Sequence, residues 1–187
     1  MPATKIMLIR HAEKPSDDGK VQGVDCDGKA SAEELIVRGW QRSGALVRLF
    51  APLNGRFADP RLAQPKTIFA SEAGKHSNSL RPHHTVLELA NELKISLDLR
   101  FKKGDEAALV KAARAATGPV LIAWEHQDIA PTIANGIVGN NKTCPQKWPG
   151  DRFDLVWVFD RRSTAGGWDF AQVPQLLLAG DSDKPVT

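Results

Sequence analysis

Apolar residues gather in short runs along this chain, and polar stretches separate them. Ile6, Met7, Leu8 and Ile9 form a run too brief for a helix and read as a buried strand over 5–9. Residues 12–31 are polar throughout, and a loop of that length points to a functional role. From about Ala32 to Phe50, Ile36, Trp40, Ser43, Val47 and Phe50 recur on one helical face, and Pro52 ends the helix. KTIFAS at 66–71 is a second short strand, followed by another polar loop over 72–80. A helix starts near Pro82, where a missing N–H costs nothing, and buries Val86, Leu89, Ala90 and Leu93.

ISLDLR at 95–100 reads as a further strand. The next helix runs from Asp105 and is closed by Gly118 and Pro119. PVLIAWEH is a strand that, like the first, runs straight into a histidine. DIAPTIANGIVG is a helix with Ile129, Ile133 and Ile137 on one face, Asp128 as its N-cap and Pro131 in its first turn. FDLVWVFD and GWDFAQV are two late strands joined as a hairpin across RRSTAGG, and residues 179–187 form a frayed tail.

Strands and helices alternate for most of the chain. This predicts an α/β protein: one domain over 1–187, a three-layer α/β/α sandwich with a mostly parallel central sheet. Ligands of such sheets sit outside the carboxyl ends of the strands. Arg10 and His11, Ser71, and Glu125 and His126 all fall at such ends, and Arg81 opens the helix after the second strand.

Composition narrows the classes. The 187 residues carry 42% hydrophobic and 25% charged residues, an ordinary globular balance, and the net charge of +3 is spread along the chain. That argues against nucleic acid as a partner. Two cysteines, Cys26 and Cys144, lack the spacing of a disulfide framework or a zinc site. No apolar window is long enough to span a membrane and no secretory leader is legible at the N-terminus, so the cytoplasm is the expected location. Nothing in the sequence sets an oligomeric state.

Two histidines and two arginines at one sheet edge make a pocket for a phosphoryl group. Arginine offers a permanently charged fork of donors that matches phosphate oxygens. Each unit-charge pair contributes on the order of 4 kcal/mol at about 4 Å and an effective dielectric near 20. A neutral imidazole in that field can attack phosphorus, and a second one can donate to the equatorial oxygens. A metal reading also exists, since His11-Ala12-Glu13 and His126-Gln127-Asp128 could each chelate; two arginines in the same pocket would repel the cation.

LIRHAEKP resembles the Arg-His-Gly strand of the histidine phosphatase superfamily, the phosphoglycerate mutase-like proteins. LIVRGWQRSGAL is similar to that family's Gly-x-x-Gln-Ala helix start, with Gly39 and Gln41 in place. ASEAGKHSNSLRPHHTVLELANEL matches its Ser…Arg-x-x-x-Thr stretch at Ser71, Arg81 and Thr85. VLIAWEHQDIAPTI matches the strand that delivers a second histidine, here His126.

The resemblance implies a phosphoglycerate mutase-like fold and a metal-independent phosphatase with no cofactor, acting on a phosphorylated small molecule or phosphoprotein. His11 would become phosphorylated, Arg10, Arg81 and Ser71 would bind the phosphoryl group, and His126 would complete the pocket. The family uses a carboxylate to protonate the leaving oxygen. Glu106 is the first candidate here, with Asp105, Glu13, Glu125 and Asp128 as others, Gln127 standing directly after the second histidine. Two alternatives remain: a phosphate-binding or regulatory module of the same fold without turnover, and a mutase-type phosphotransferase.

Overall fold

A computed structural model describes residues 3–162 and 166–187. Five strands form one sheet: β1 (Lys5–Arg10), β2 (Thr67–Ala70), β3 (Val120–Trp124), β4 (Leu155–Arg161) and β5 (Trp168–Pro174), in the order β2-β3-β1-β4-β5. β2, β3 and β1 run parallel, whereas β4 and β5 are antiparallel additions, so the sheet is mixed. The tip of the expected β4–β5 hairpin, at 163–165, lies outside the described residues.

Both faces of the strands are apolar, and alternation divides them between two cores. Ile6 and Leu8 of β1 join Ile122, Trp124, Trp157 and Phe159 on one face. Met7 and Ile9 join Leu121, Ala123, Val156 and Val158 on the other. Helices α1 (Val37–Phe50) and α2 (Arg81–Leu93) cover this second face through Leu46, Phe50, Val86 and Leu89. The first face is covered by α3 (Glu106–Ala115) and by a helical run of α4 (His126–Asp128), a π-helical segment (Ile129–Ala134) and α5 (Asn135–Val138). Each fully buried Leu or Ile contributes about 1.5–3 kcal/mol, which is what keeps the strand ends fixed. No helix among the described residues is long and apolar enough to cross a membrane.

Several sequence expectations are corrected. Helix α1 starts at Val37 rather than Ala32, because the backbone of 33–36 serves other loops. Leu80 N–H donates to Glu33 O, Val24 N–H to Leu35 O, and Ile36 N–H to Glu13 O. The buried face of α1 is also rotated toward Gly39, Arg42, Ser43 and Leu46, leaving Trp40 and Val47 half-buried. Residues 95–100 are not a strand; only Asp98 bridges to Phe69 beside β2. The last helical run starts at His126 with Glu125 at its N-cap position, not at Asp128. Pro131 therefore falls inside it, where it has no N–H to give and would crowd the preceding turn; the widened π turns accommodate that.

The tail is not frayed. Asp181 accepts from Arg42 Nη2 at 2.7 Å and from the Leu177 amide at 2.8 Å. Ser182 N–H donates to Asp154, and Val186 exchanges hydrogen bonds with Gln172 and is buried. Local polarity of the segment gave no sign of these distant partners.

Candidate active site

Strand register builds the site. β1 and β3 are parallel and pair Arg10 with Trp124, so His11 and Glu125 leave adjacent strands side by side, and His126 follows. His11 N–H extends the ladder to Trp124 O at 3.0 Å. Arg81 arrives at the N-terminus of α2. His11, Arg81, Glu125 and His126 line one cavity of about 600 Å³ with Lys14, Asp17, Ser77, Lys103, Gln127 and Gly150.

His11 is buried, and its Nδ1 lies 2.7 Å from Ala12 O. A carbonyl only accepts, so Nδ1 carries the proton and the lone pair sits on Nε2. Burial, then the positive charge of Arg10, hold the His11 pKa well below the usual imidazole value, with Arg81 and His126 adding to the effect. The ring is therefore neutral at pH 7. His126 is lowered to about 4 by burial, then by Arg10 and three lysines, Lys14, Lys103 and Lys147.

Arg10 is almost wholly buried. Its guanidinium lies 3.7 Å over the Phe153 ring, and Nη1 donates to Gly150 O at 2.6 Å. Burial and then Arg81 lower its pKa to about 10, which leaves it charged at neutral pH. Arg81 Nη1 donates to Ala32 O at 2.8 Å. Burial lowers the Arg81 pKa as well, against the pull of Glu33, Glu125 and Glu34.

Buried side-chain atoms without a hydrogen-bond partner among the described residues concentrate here. They include Arg10 Nε and Nη2, Arg81 Nε, His126 Nδ1, Glu125 Oε2 and Asp128 Oδ2; the remaining two are indole nitrogens of Trp157 and Trp168. Native structures satisfy nearly all buried polar atoms, so such a cluster marks a place built for a polar ligand.

The other sequence candidates separate. Ser71 is buried beside Ala123 and does not line the cavity, whereas Ser77 does. Glu106 is also outside the lining. Its carboxylate accepts from Gly104 N–H at 3.0 and 3.1 Å and from Trp124 Nε1–H at 3.1 Å, so it closes the start of its own helix. Asp105 accepts from the Lys102 amide. Glu13 is held by Arg42 at 2.8 Å and Arg38 at 3.1 Å. Asp128 lies 3.6 Å from Lys103 Nζ, and burial raises its pKa.

Sequence reasoning missed Gly150 and Phe153, which reach Arg10 from a loop far along the chain, and Lys103. No local spacing marks any of the three.

No protein-family model matches the sequence, and no curated protein matches it. Solved structures do. A phosphoserine phosphatase from Entamoeba histolytica, solved as a mutant with phosphoserine, is 12% identical, with 89% of this chain and 94% of that one covered and a TM-score of 0.52. A mycobacterial glucosyl-3-phosphoglycerate phosphatase, solved with VO3, is 10% identical, with 90% and 97% covered and a TM-score of 0.51. With five strands in one sheet between two helical layers, this chain has the phosphoglycerate mutase-like fold, that of the histidine phosphatase superfamily.

Proposed function

We propose that the protein is a metal-independent phosphatase that hydrolyses phosphomonoesters through a phosphohistidine on His11. The carrying observation is a neutral, buried histidine with a free Nε2 in a cavity lined by Arg81 and His126, with Arg10 next to it in the chain and unpartnered buried nitrogens on all three. Nε2 attacks phosphorus, and the ester oxygen leaves with its electron pair. Arg10 and Arg81 offset the charge of the three equatorial oxygens, a task that otherwise falls to a metal ion, and His126 donates as that charge grows. Both similar structures are named for phosphatases of small phosphate esters, which favours a small-molecule substrate over a phosphoprotein.

His11→Ala should abolish turnover of an aryl phosphate, with and without chelator. A variant that keeps the wild-type rate, or a wild type killed by chelator, sinks the mechanism. Phosphate affinity without turnover in the intact protein would instead identify the binding module. Transfer of the phosphoryl group to a second hydroxyl compound rather than to water would identify the mutase-type enzyme.

A further inference from the structure

Glu125 is the candidate carboxylate that opens onto the cavity and has an oxygen free to exchange a proton. Resting on the phosphohistidine reading above, we propose that Glu125 moves the protons of this reaction and that Lys103 is the positioning residue that manages its charge.

The geometry divides the two carboxylate oxygens. Ser77 Oγ–H donates to Oε1 at 2.5 Å, which fixes the group and occupies that oxygen. Oε2 lies 3.1 Å from Lys103 Nζ in an ion pair and accepts no hydrogen bond from any other group among the described residues. The same ammonium stands 3.6 Å from Asp128 Oδ2. Lys103 can therefore rest on Asp128 while Glu125 carries a proton. None of the other four carboxylates lines the cavity: Glu13 is bound by two arginines, Glu106 by two N–H groups and Asp105 by a backbone amide, and Asp128, which faces the same Lys103 from further away, lies outside the lining.

The steps balance. Arrival of a phosphoryl dianion beside the carboxylate favours its protonated form, with the proton taken from solvent. As the P–Nε2 bond forms and the ester P–O bond breaks, Glu125 gives that proton to the leaving oxygen. Water then attacks phosphorus and its proton passes to the Glu125 carboxylate. The P–Nε2 bond breaks, its electron pair returns to His11, and inorganic phosphate leaves. The Glu125 carboxyl is again protonated for the next cycle.

The test compares leaving groups. An alkoxide leaves poorly without a proton, and a nitrophenolate leaves well unaided. The rate of phosphoenzyme formation in a single turnover is measured with glycerol phosphate and with 4-nitrophenyl phosphate. Glu125→Gln keeps the shape and the Ser77 contact. It should slow the alkyl ester by about 10²- to 10⁴-fold and leave the nitrophenolate burst nearly intact. The phosphoenzyme should then accumulate, because its hydrolysis has lost the base. A burst shows that the variant is folded and that His11 is competent. Glu106→Gln should keep the wild-type ratio of the two rates. Lys103→Met should widen the difference between the esters less than Glu125→Gln does, with its larger effect on the pH profile of the alkyl ester. Equal losses on both esters, or none on either, overturn the role of Glu125. Absence of any phosphoenzyme in the wild type overturns the phosphohistidine reading itself, a result separate from the other two.

Discussion

The Ala12 amide donates to Thr85 Oγ1 at 2.8 Å, and that hydroxyl in turn donates to the Arg81 carbonyl at 2.7 Å. One buried side chain thus ties the backbone beside His11 to the first turn of the helix that carries Arg81. Thr85→Val keeps the shape and removes both bonds, leaving a buried N–H unpaired. The expected cost is about 1–3 kcal/mol in urea unfolding. Loosening the two halves of the pocket should also lower kcat, by up to about 10²-fold. An unchanged rate would mean that packing alone sets this distance.

Two glycines of α1 should respond to alanine with opposite signs. A Cβ on Gly39 would stand 2.6 Å from the Glu13 carbonyl oxygen, a backbone atom that cannot yield without shifting the segment that follows His11. Gly39→Ala should lower both the melting temperature and kcat. A Cβ on Gly44 meets nothing within 4 Å, so Gly44→Ala should gain up to about 1 kcal/mol from helix propensity alone. Thermal melts of the two variants side by side decide it.

His126 makes stability depend on pH in a defined window. Its folded pKa, about 4, lies below the ordinary imidazole value of 6.5, mainly through burial. The unfolded chain therefore binds more protons below pH 6.5, and stability falls as pH drops from there toward 4, then levels. His11, lowered in the same direction, adds to the slope. His126→Asn should flatten the melting temperature between pH 6.5 and 4 relative to wild type. A parallel curve would show that the ring is not held neutral.

Asp181 holds residues 177–186 through Arg42, which is itself buried between Asp181 and Glu13. Asp181→Ala leaves Arg42 with Glu13 and Gln175. The loss of charge-assisted bonds should cost about 1.5–3 kcal/mol. It should also open the segment after residue 178 to limited proteolysis, which wild type resists. Equal protection in the variant would locate the restraint at Gln172 and Val186 instead.

Much of this was legible because strands that end in chemistry announce themselves. Ile6–Ile9 before Arg10 and His11, and Val120–Trp124 before Glu125 and His126, gave both the sheet and the edge where the site lies. The start of α1 was not legible, since the backbone of Glu33, Leu35 and Ile36 is spent on loops more than ten residues away. Nor was the position of Glu106: a carboxylate in a first turn reads the same whether it faces a substrate or its own helix N–H groups. Gly150 and Phe153 meet Arg10 only through tertiary contact, which no spacing encodes.

β1 is flanked by β3 and β4, both of which lie more than a hundred residues further along the chain. At about 5–20 residues per second of synthesis, Ile6–Ile9 wait unpaired for roughly 5–20 s before β3 emerges. A naked run of that kind is the sort of segment that recruits other nascent chains. Lys5 and Arg10 bracket it with charge, the placement by which sequences guard hydrophobic strands during biogenesis. On that principle Arg10, proposed above to bind phosphate, would serve earlier as well, as a sentinel on the growing polypeptide. A neutral residue at position 10 would show its first defect as insoluble product on the ribosome's timescale, before any substrate is met.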